Sequence, residues 1–379
     1  MKRRDMILAA GAIGTAAMTD VSAESAETGR AIAPEAASGS ATLRTEVVRL
    51  KLRHTWTTTM SSSDFRDTLY VRYSRGGLTG VGEGAPIVRY HESAVDGEKA
   101  LQPLRELVES ADPMAWAALD AEVARRLPGQ YAARAALNIA TLDWVGQKLG
   151  VPVYRLFGLD AGNAPATTFS IGIDTPEITR QKVREADAYP ILKIKVGLDT
   201  DEATIEAVRS VTRKPLRVDA NEGWKDKETA ARKIAWLETQ GVEFIEQPMP
   251  AAMLDEQRWL RSRVHMPILA DEACLRSQDI PRIADAYDGI VVKVDKAGGL
   301  LEALRSIHTA RSCGLKVMLG CMVSSSVAIT AAAHLSPLVD YADLDGNLLI
   351  ANDPYTGVLV KDGKLVLPAG PGLGLVPAA

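Results

Sequence analysis

Two rhythms of apolar and polar residues divide this chain. From Thr42 the pattern alternates every second residue, in "LRTEVVRLKL" (43–52), "DTLYVRYSRGG" (67–77) and "LTGVGEGAP" (78–86). A period of two sends successive side chains to opposite faces of a strand. Gly76-Gly77 marks a tight hairpin, so three strands of an antiparallel sheet are expected. Helical stretches follow over 91–110, 113–126 and 131–149, with Pro113 suited to a first helical turn and Gly150 to a helix C-cap. The last stretch, "YAARAALNIATLDWVGQKLG", is apolar nearly all round, which predicts a helix buried between other elements.

After Val151 the rhythm changes. Eight short apolar runs, "TTFSIGI", "ILKIKVG", "PLRVDAN", "VEFIEQP", "PILADEA", "GIVVKVD", "LKVMLGC" and "YADLDG", alternate with helical stretches. Strand–helix alternation predicts a parallel sheet, and eight repeats predict a closed (β/α)8-type barrel rather than an open sheet. No Gly-rich dinucleotide fingerprint follows any of the runs. The expected organisation is an α+β block over 42–150, a barrel over 151–346, and a segment over 347–379 whose hairpin at Asp362-Gly363 returns to the first block.

The residues ahead of the first strand read differently. "MKRRDMILAAGAIGTAAMTDVSAES" joins a basic start, an apolar stretch from Met6 to Met18 and a small-residue site at Val21-Ser22-Ala23. That is the form of a signal peptide over 1–23, too short for a membrane anchor. Arg3-Arg4 points to twin-arginine export and a periplasmic location, with an ordinary Sec signal as the alternative. Residues 24–41, small and polar, are expected to be a flexible linker. The 379 residues carry a formal net charge of −4, so there is no basic surplus for nucleic acid. Five scattered His give no close pair for zinc, and three scattered Cys make no disulfide framework.

The chemistry lies in the ends of the apolar runs. Lys195, Asp219, Glu246, Asp271 and Lys293 each close one run, at successive spacings of 24, 27, 25 and 22 residues, each one strand plus one helix. One ionisable group per unit thereby reaches the C-terminal rim, where barrel active sites sit. Parity agrees, since Arg217 and Asp219 alternate with Leu216 and Val218, and Glu246 with Ile245. Three carboxylates at one mouth cannot all stay ionised without a counter-cation, and an all-oxygen set with room for water and substrate suits Mg²⁺ better than Zn²⁺. Asn221, two residues beyond Asp219, points the same way and is a candidate to support metal or substrate.

The flanking lysines indicate a reaction. Lys193 and Lys195 precede the carboxylates and Lys293 follows them, so they face a central substrate from opposite sides. A metal holding a substrate carboxylate would stabilise the enediolate formed when an α-proton leaves. Lys195 is the expected base on one face, with its pKa lowered by Lys193 and the metal, and Lys293 returns the proton on the other. Two bases mean racemisation or epimerisation, whereas one active base would mean elimination.

This constellation resembles the muconate-lactonizing-enzyme subgroup of the enolase superfamily. The resemblance is carried by the Lys-x-Lys pair 193/195, "VDAN" (218–221), "IEQP" (245–248), "ADE" (270–272), "VVKVDKAGG" (291–299), "GVGEGAP" (80–86) and "ARAALNIATLDWVGQKLG", and it runs from about residue 42 to the end. It implies a modified barrel, (β/α)7β, beneath an α+β N-terminal capping domain, with one Mg²⁺ on Asp219, Glu246 and Asp271. In "VVKVDKAGG" parity puts Val291, Lys293 and Asp295 on one face, which favours Lys293 over Lys296 as the catalytic lysine.

"YADLDG" carries Asp343 and Asp345, and this Asp-x-Asp resembles the pair with which dipeptide epimerases hold a substrate's α-ammonium. Two inward carboxylates on one strand do make a cation site. The expected function is therefore Mg²⁺-dependent epimerisation of an L-Ala-type dipeptide at its C-terminal residue. The expected partners are that dipeptide and further copies of the chain. The cap loop departs from alanyl-glutamate epimerases: "HTWTTTMSSSDFRD" has Ser61 where they carry an arginine for the glutamate side chain, and Arg66 lies close to the next strand. "GCMVSSS" has Ser324 where relatives often carry Glu. Both departures argue against glutamate as the epimerised residue. Asp295 beside Lys293 would favour a polar or cationic side chain, whereas Trp56, Met60 and Met322 would line an apolar pocket. A cycloisomerase, an o-succinylbenzoate synthase or an N-acylamino-acid racemase remains the alternative within the superfamily, and a non-catalytic binding protein the alternative outside it.

Overall fold

The structure, a computed structural model, describes residues 40–378. The signal peptide expected over 1–23 lies outside them, as does the linker apart from its last two residues. Among the described residues no helix is long and apolar enough to cross a membrane.

The chain first forms an antiparallel sheet of β1 (Thr42–Thr57), β2 (Ser62–Arg75) and β3 (Leu78–Gly84), in that order. Gly76 and Gly77 make the predicted tight turn, with φ of 57° and 79°. The stretch expected to be a mobile loop before β2 is mostly ribbon. Pairing is interrupted after Lys51 and resumes at Trp56–Ser63, leaving only a turn at 58–61. At the interruption β1 bends, and Leu52 pairs with Ile350 of the C-terminal segment.

Helices α1 (Ala94–Leu101), α2 (Arg105–Ser110), α3 (Trp116–Arg126) and α4 (Tyr131–Leu149) complete the cap. The glycines of "GVGEG" have a packing reason. A Cβ on Gly80, Gly82 or Gly84 would stand 2.0, 2.0 and 1.9 Å from the carbonyls of Ala140, Ala136 and Ala132, so β3 lies flush on α4. Helix α4 is buried over most of its length, as its all-round apolarity predicts.

Short α5 (Val153–Leu156) leads into the barrel. Its strands are β4 (Phe169–Ile171), β5 (Leu192–Lys195), β6 (Leu216–Asp219), β7 (Val242–Glu246), β8 (Ile268–Ala270), β9 (Gly289–Lys293), β10 (Lys316–Gly320) and β11 (Tyr341–Asp343), parallel and in sequential order. A parallel bridge from Thr167 to Ala342 closes the ring. Crossovers are made by α6 (Pro176–Glu185), α7 (Asp201–Arg209), α8 (Lys227–Thr239), α9 (Leu254–Arg261), α10 (Ile280–Ile283), the turn α11 (Val294–Ala297) with α12 (Leu300–Ser312), and α13 (Ser326–Ala333). No long helix follows β11, which gives the expected (β/α)7β form.

Inside the barrel, Phe244, Leu269, Val291 and Met318 pack as an apolar floor, at roughly 1.5–3 kcal/mol per buried side chain. The tail adds β12 (Tyr355–Thr356), β13 (Leu359–Lys361), β14 (Lys364–Val366) and β15 (Val376–Pro377). It divides its contacts. Asn352 bonds to β1, and the Leu373 amide donates to Asp143 of α4, as expected. The β13–β14 hairpin instead bonds to Ala166 and Thr167 at the foot of the barrel, so it does not return to the cap.

Candidate active site

Register delivers the carboxylates. Lys195 pairs with Asp219 across β5–β6 and Asp219 with Glu246 across β6–β7, so one strand position carries all three side chains inward. Asp271 follows the end of β8. Asp219, Glu246 and Asp271 are buried and offer oxygens within 4.8 Å of one another. Burial opposes ionisation of Asp219, but Lys195, Lys193 and Lys293 outweigh it and hold the carboxyl below its usual range. Asp271 is likewise held low, by Lys293 and Lys296 against its burial. Glu246 goes the other way, pushed well up by burial and by Asp219 despite Lys193.

Lys193 Nζ stands 2.7 Å from Glu246 Oε2, yet among the described residues neither Glu246 oxygen receives a directed hydrogen bond. Orphaned carboxylate oxygens in a buried three-carboxylate set fit a hard divalent cation. Gln247 braces the set: its Oε1 accepts from the Asp271 and Ala273 amides at 2.9 and 3.0 Å, and its amide donates to Met249 O and Tyr287.

The two lysines of β5 share a face inside the barrel and are both buried. Lys193 Nζ lies 2.6 Å from Asp343, 2.7 Å from Glu246 and 3.2 Å from Asp219. Lys195 Nζ lies 2.6 Å from Asp219. The like charges are thus offset by anions on three other strands, which raise the Lys193 pKa well above its ordinary value although burial opposes this. Strand β9 is four places from β5 in the ring of eight, so Lys293 enters from the opposite wall. Its Nζ lies 2.6 Å from Asp271.

Asp343 and Asp345 are buried at the same mouth. Asp343 accepts from Lys193 and from the Thr168 hydroxyl, and Asp345 accepts from the Ser170 amide at 2.5 Å. Burial and the neighbouring Asp343 push Asp345 up to about 7. Asn221 has φ of 39° and turns its amide onto Glu272 at 3.2 Å, leaving its buried Oδ1 without a partner.

Lys193, Lys195, Lys293, Asp271, Asn221, Asp343 and Asp345 line a cavity of about 100 Å³, open to solvent, between the barrel mouth and the cap, where Ser61, Met322, Trp56 and Met60 also lie. Glu272, Arg89 and Arg66 are among the lining residues that were not anticipated. Glu272 directly follows Asp271, where the strand has ended and alternation no longer hides it; burial and Asp271 push it up to about 8. Arg89, just past "GVGEGAP", pairs with Glu222 at 2.8 Å. Arg66 corrects an expectation. It lines the cavity, and among the described residues its guanidinium makes one hydrogen bond, to the carbonyl of Phe65. Arg66 does lie in the strand, paired with Leu50 of β1, and that position, expected to keep it from the substrate, does not keep it from the mouth.

Asp295 corrects another. The polypeptide turns helical at Val294, so strand parity ends at Lys293. Asp295 does not line the cavity; it is buried toward the cap and accepts from the Ala85 amide at 2.7 Å. The same turn brings Lys296, expected on the other face, to within 2.6 Å of Asp271. Of the two lysines, Lys293 lines the cavity.

Residues 40–158 match the family "Mandelate racemase / muconate lactonizing enzyme, N-terminal domain", and 178–379 match "Enolase C-terminal domain-like". The L-Ala-D/L-Glu epimerase of Bacteroides thetaiotaomicron is 39% identical over 86% of this chain and 85% of its own. The L-Ala-D/L-amino acid epimerase of Pedosphaera parvula is 41% identical over 85% and 94%. The crystal structure of the dipeptide epimerase of Enterococcus faecalis, complexed with Mg and L-Leu-L-Tyr, superposes with a TM-score of 0.83 at 30% identity, covering 88% of this chain and 98% of that one.

Proposed function

Because the chain belongs to the mandelate racemase / muconate lactonizing enzyme family of the enolase superfamily, we propose that it is a Mg²⁺-dependent dipeptide epimerase. The carrying observation is the pair of lysines on opposed strands around a buried three-carboxylate set. Asp219, Glu246 and Asp271 would hold the metal, which when bound supplies a positive charge to offset the negative charge that builds on the substrate carboxylate. Lys195 removes the α-proton from one face and Lys293 delivers a proton to the other; with the other epimer the roles exchange. Lys193 holds Asp343, and Asp343 with Asp345 takes the substrate's ammonium group. This last contact favours a dipeptide over an N-acylated amino acid, whose nitrogen carries no charge.

Arg66 bears on the epimerised residue. A guanidinium at the cavity with no acidic partner among the described residues favours an acidic side chain there, so glutamate returns as a substrate residue. The test is α-deuterium uptake from D₂O with Mg²⁺ across dipeptides. Uptake confined to N-acyl amino acids would defeat the dipeptide reading. Arg66→Ala should raise KM about tenfold or more for L-Ala-L-Glu and leave L-Ala-L-Leu unchanged, as expected for a lost charge-assisted hydrogen bond. Equal losses on both would remove Arg66 from substrate selection.

Export to the periplasm is proposed on the amino-terminal sequence alone. A mature chain beginning at Glu24 supports it, and retention of Met1 on the protein isolated from its host rejects it. Assembly into a homo-oligomer rests on the family resemblance, and sedimentation equilibrium decides it.

A further inference from the structure

We propose that Asp295 is a positioning residue for Lys293, so that the capping domain, through the Ala85 amide, sets one of the two acid–base groups and leaves the other to the barrel. This rests on the epimerase reading and adds a division of labour to it. Lys293 is the last residue of β9 and the first flank of turn α11, and the β9–β10 pairing ends there, at Lys293–Gly320. Asp295 stands two residues further on, 6% exposed, with its carboxylate 2.7 Å from the Ala85 amide. No lysine or arginine pairs with it among the described residues, and the charges that act on it most, Glu83 and Glu92, are acidic. A buried carboxyl with no cation is costly, and its one visible use is to tie this turn to the end of β3.

A second tether follows. Gly299, at φ +136°, lies against Asn138 of α4, where an added Cβ would stand 2.7 Å from its Cγ, and Asn138 Oδ1 accepts from the Leu300 amide at 2.9 Å. The stretch that fixes the Lys293 backbone is therefore held by the cap at two points. Strand β5 differs. Its ladder continues beyond Lys195, with the Val196 amide donating to Asp219 O at 2.9 Å, so hydrogen bonds of the barrel hold that lysine's backbone, and the cap adds a packing contact of Thr59 on Gly197.

The experiment follows initial α-proton exchange in D₂O with Mg²⁺, starting separately from each epimer of one dipeptide. Lys195→Ala and Lys293→Ala first assign each epimer to its base. Asp295→Ala should then slow exchange of the epimer served by Lys293 by about tenfold or more, because a displaced base loses near-attack geometry, while the other epimer stays within about threefold. Asp295→Asn, whose amide oxygen still accepts from Ala85, should restore the wild-type ratio. Both rates come from one sample, so their ratio does not depend on the fraction folded. Should Asp295→Ala yield no folded protein, Asn138→Ala loosens the second tether and should move the ratio in the same direction. An unchanged ratio in the variant tested, or no rescue by Asp295→Asn, overturns the proposal. Wild-type protein that exchanges no dipeptide overturns the epimerase reading and this inference with it; active wild type with an unmoved ratio overturns the inference alone.

Discussion

Strands β5 and β9 each bring lysine into the barrel mouth, and they hold it by different means. On β5 the side chains are held by charge: Lys193 touches Asp343, Glu246 and Asp219, and Lys195 touches Asp219. On β9 Lys293 also meets an aspartate, but its backbone leaves the sheet at once and is anchored by Asp295 and Asn138 to the cap. Of the two lysines proposed as bases, one is thus built into the barrel ladder and the other into the seam between domains. A two-base reaction assembled this way joins the cap's seating to one direction of proton transfer more than to the other.

The largest expected effect separates the bases themselves. Lys195→Ala and Lys293→Ala should each abolish inversion by a factor of roughly 10³ or more, while each keeps proton exchange from the opposite epimer. Full epimerisation without either lysine would dissolve the comparison. Next, Lys193→Met removes the buried cation that Asp343 and Glu246 share. Urea unfolding of the metal-free variant should show a loss of about 3–5 kcal/mol, the cost of leaving buried carboxylates unpaired. A loss below about 1 kcal/mol would mean that charge does not hold the β5 side.

A smaller effect is expected on the β9 side. Gly299→Ala would press a methyl group into Asn138 at a backbone angle that alanine avoids, so thermal unfolding should register about 1–3 kcal/mol. The exchange ratio should shift against the epimer served by Lys293; stability loss with an unmoved ratio would confine the seam to a structural role. The smallest effect is a pH slope. Burial, which outweighs the Ala85 bond, lifts Asp295 up to about 7 from its ordinary 3.8. Between those values the unfolded chain has released a proton that the folded chain keeps, so this group's contribution to stability falls as pH rises from about 4 to about 7 and is flat outside that window. Asp295→Asn removes the slope, and should gain on wild type by up to ~1.4 kcal/mol per pH unit within the window. Parallel stability curves would show that Asp295 does not titrate there.

Much of the site was legible because strands end in register. Spacing and parity located Lys195, Asp219, Glu246 and Asp271, and the resemblance of Asp-x-Asp to a family pair marked Asp343. Each inference held as long as the backbone stayed extended. It failed at Asp295 and Lys296, where α11 replaces a period of two by a helical turn within one residue of Lys293. It failed in another sense at Arg66, whose place in β2 was read as keeping it from the substrate, whereas the strand itself borders the cavity.

By itself the sequence determined the periods: two strand rhythms, a buried Ala-rich helix, and one ionisable residue at the close of each of five barrel strands. These are local properties, readable because side-chain direction follows from backbone period alone. Only the tertiary structure decided that "GVGEG" lies flush on α4, that its end reaches the turn beyond Lys293, and that Arg66 faces the cavity. Those contacts join residues up to 210 positions apart in the chain, as Ala85 and Asp295 are. No local pattern records such a distance, because it is set by how the cap is seated on the barrel.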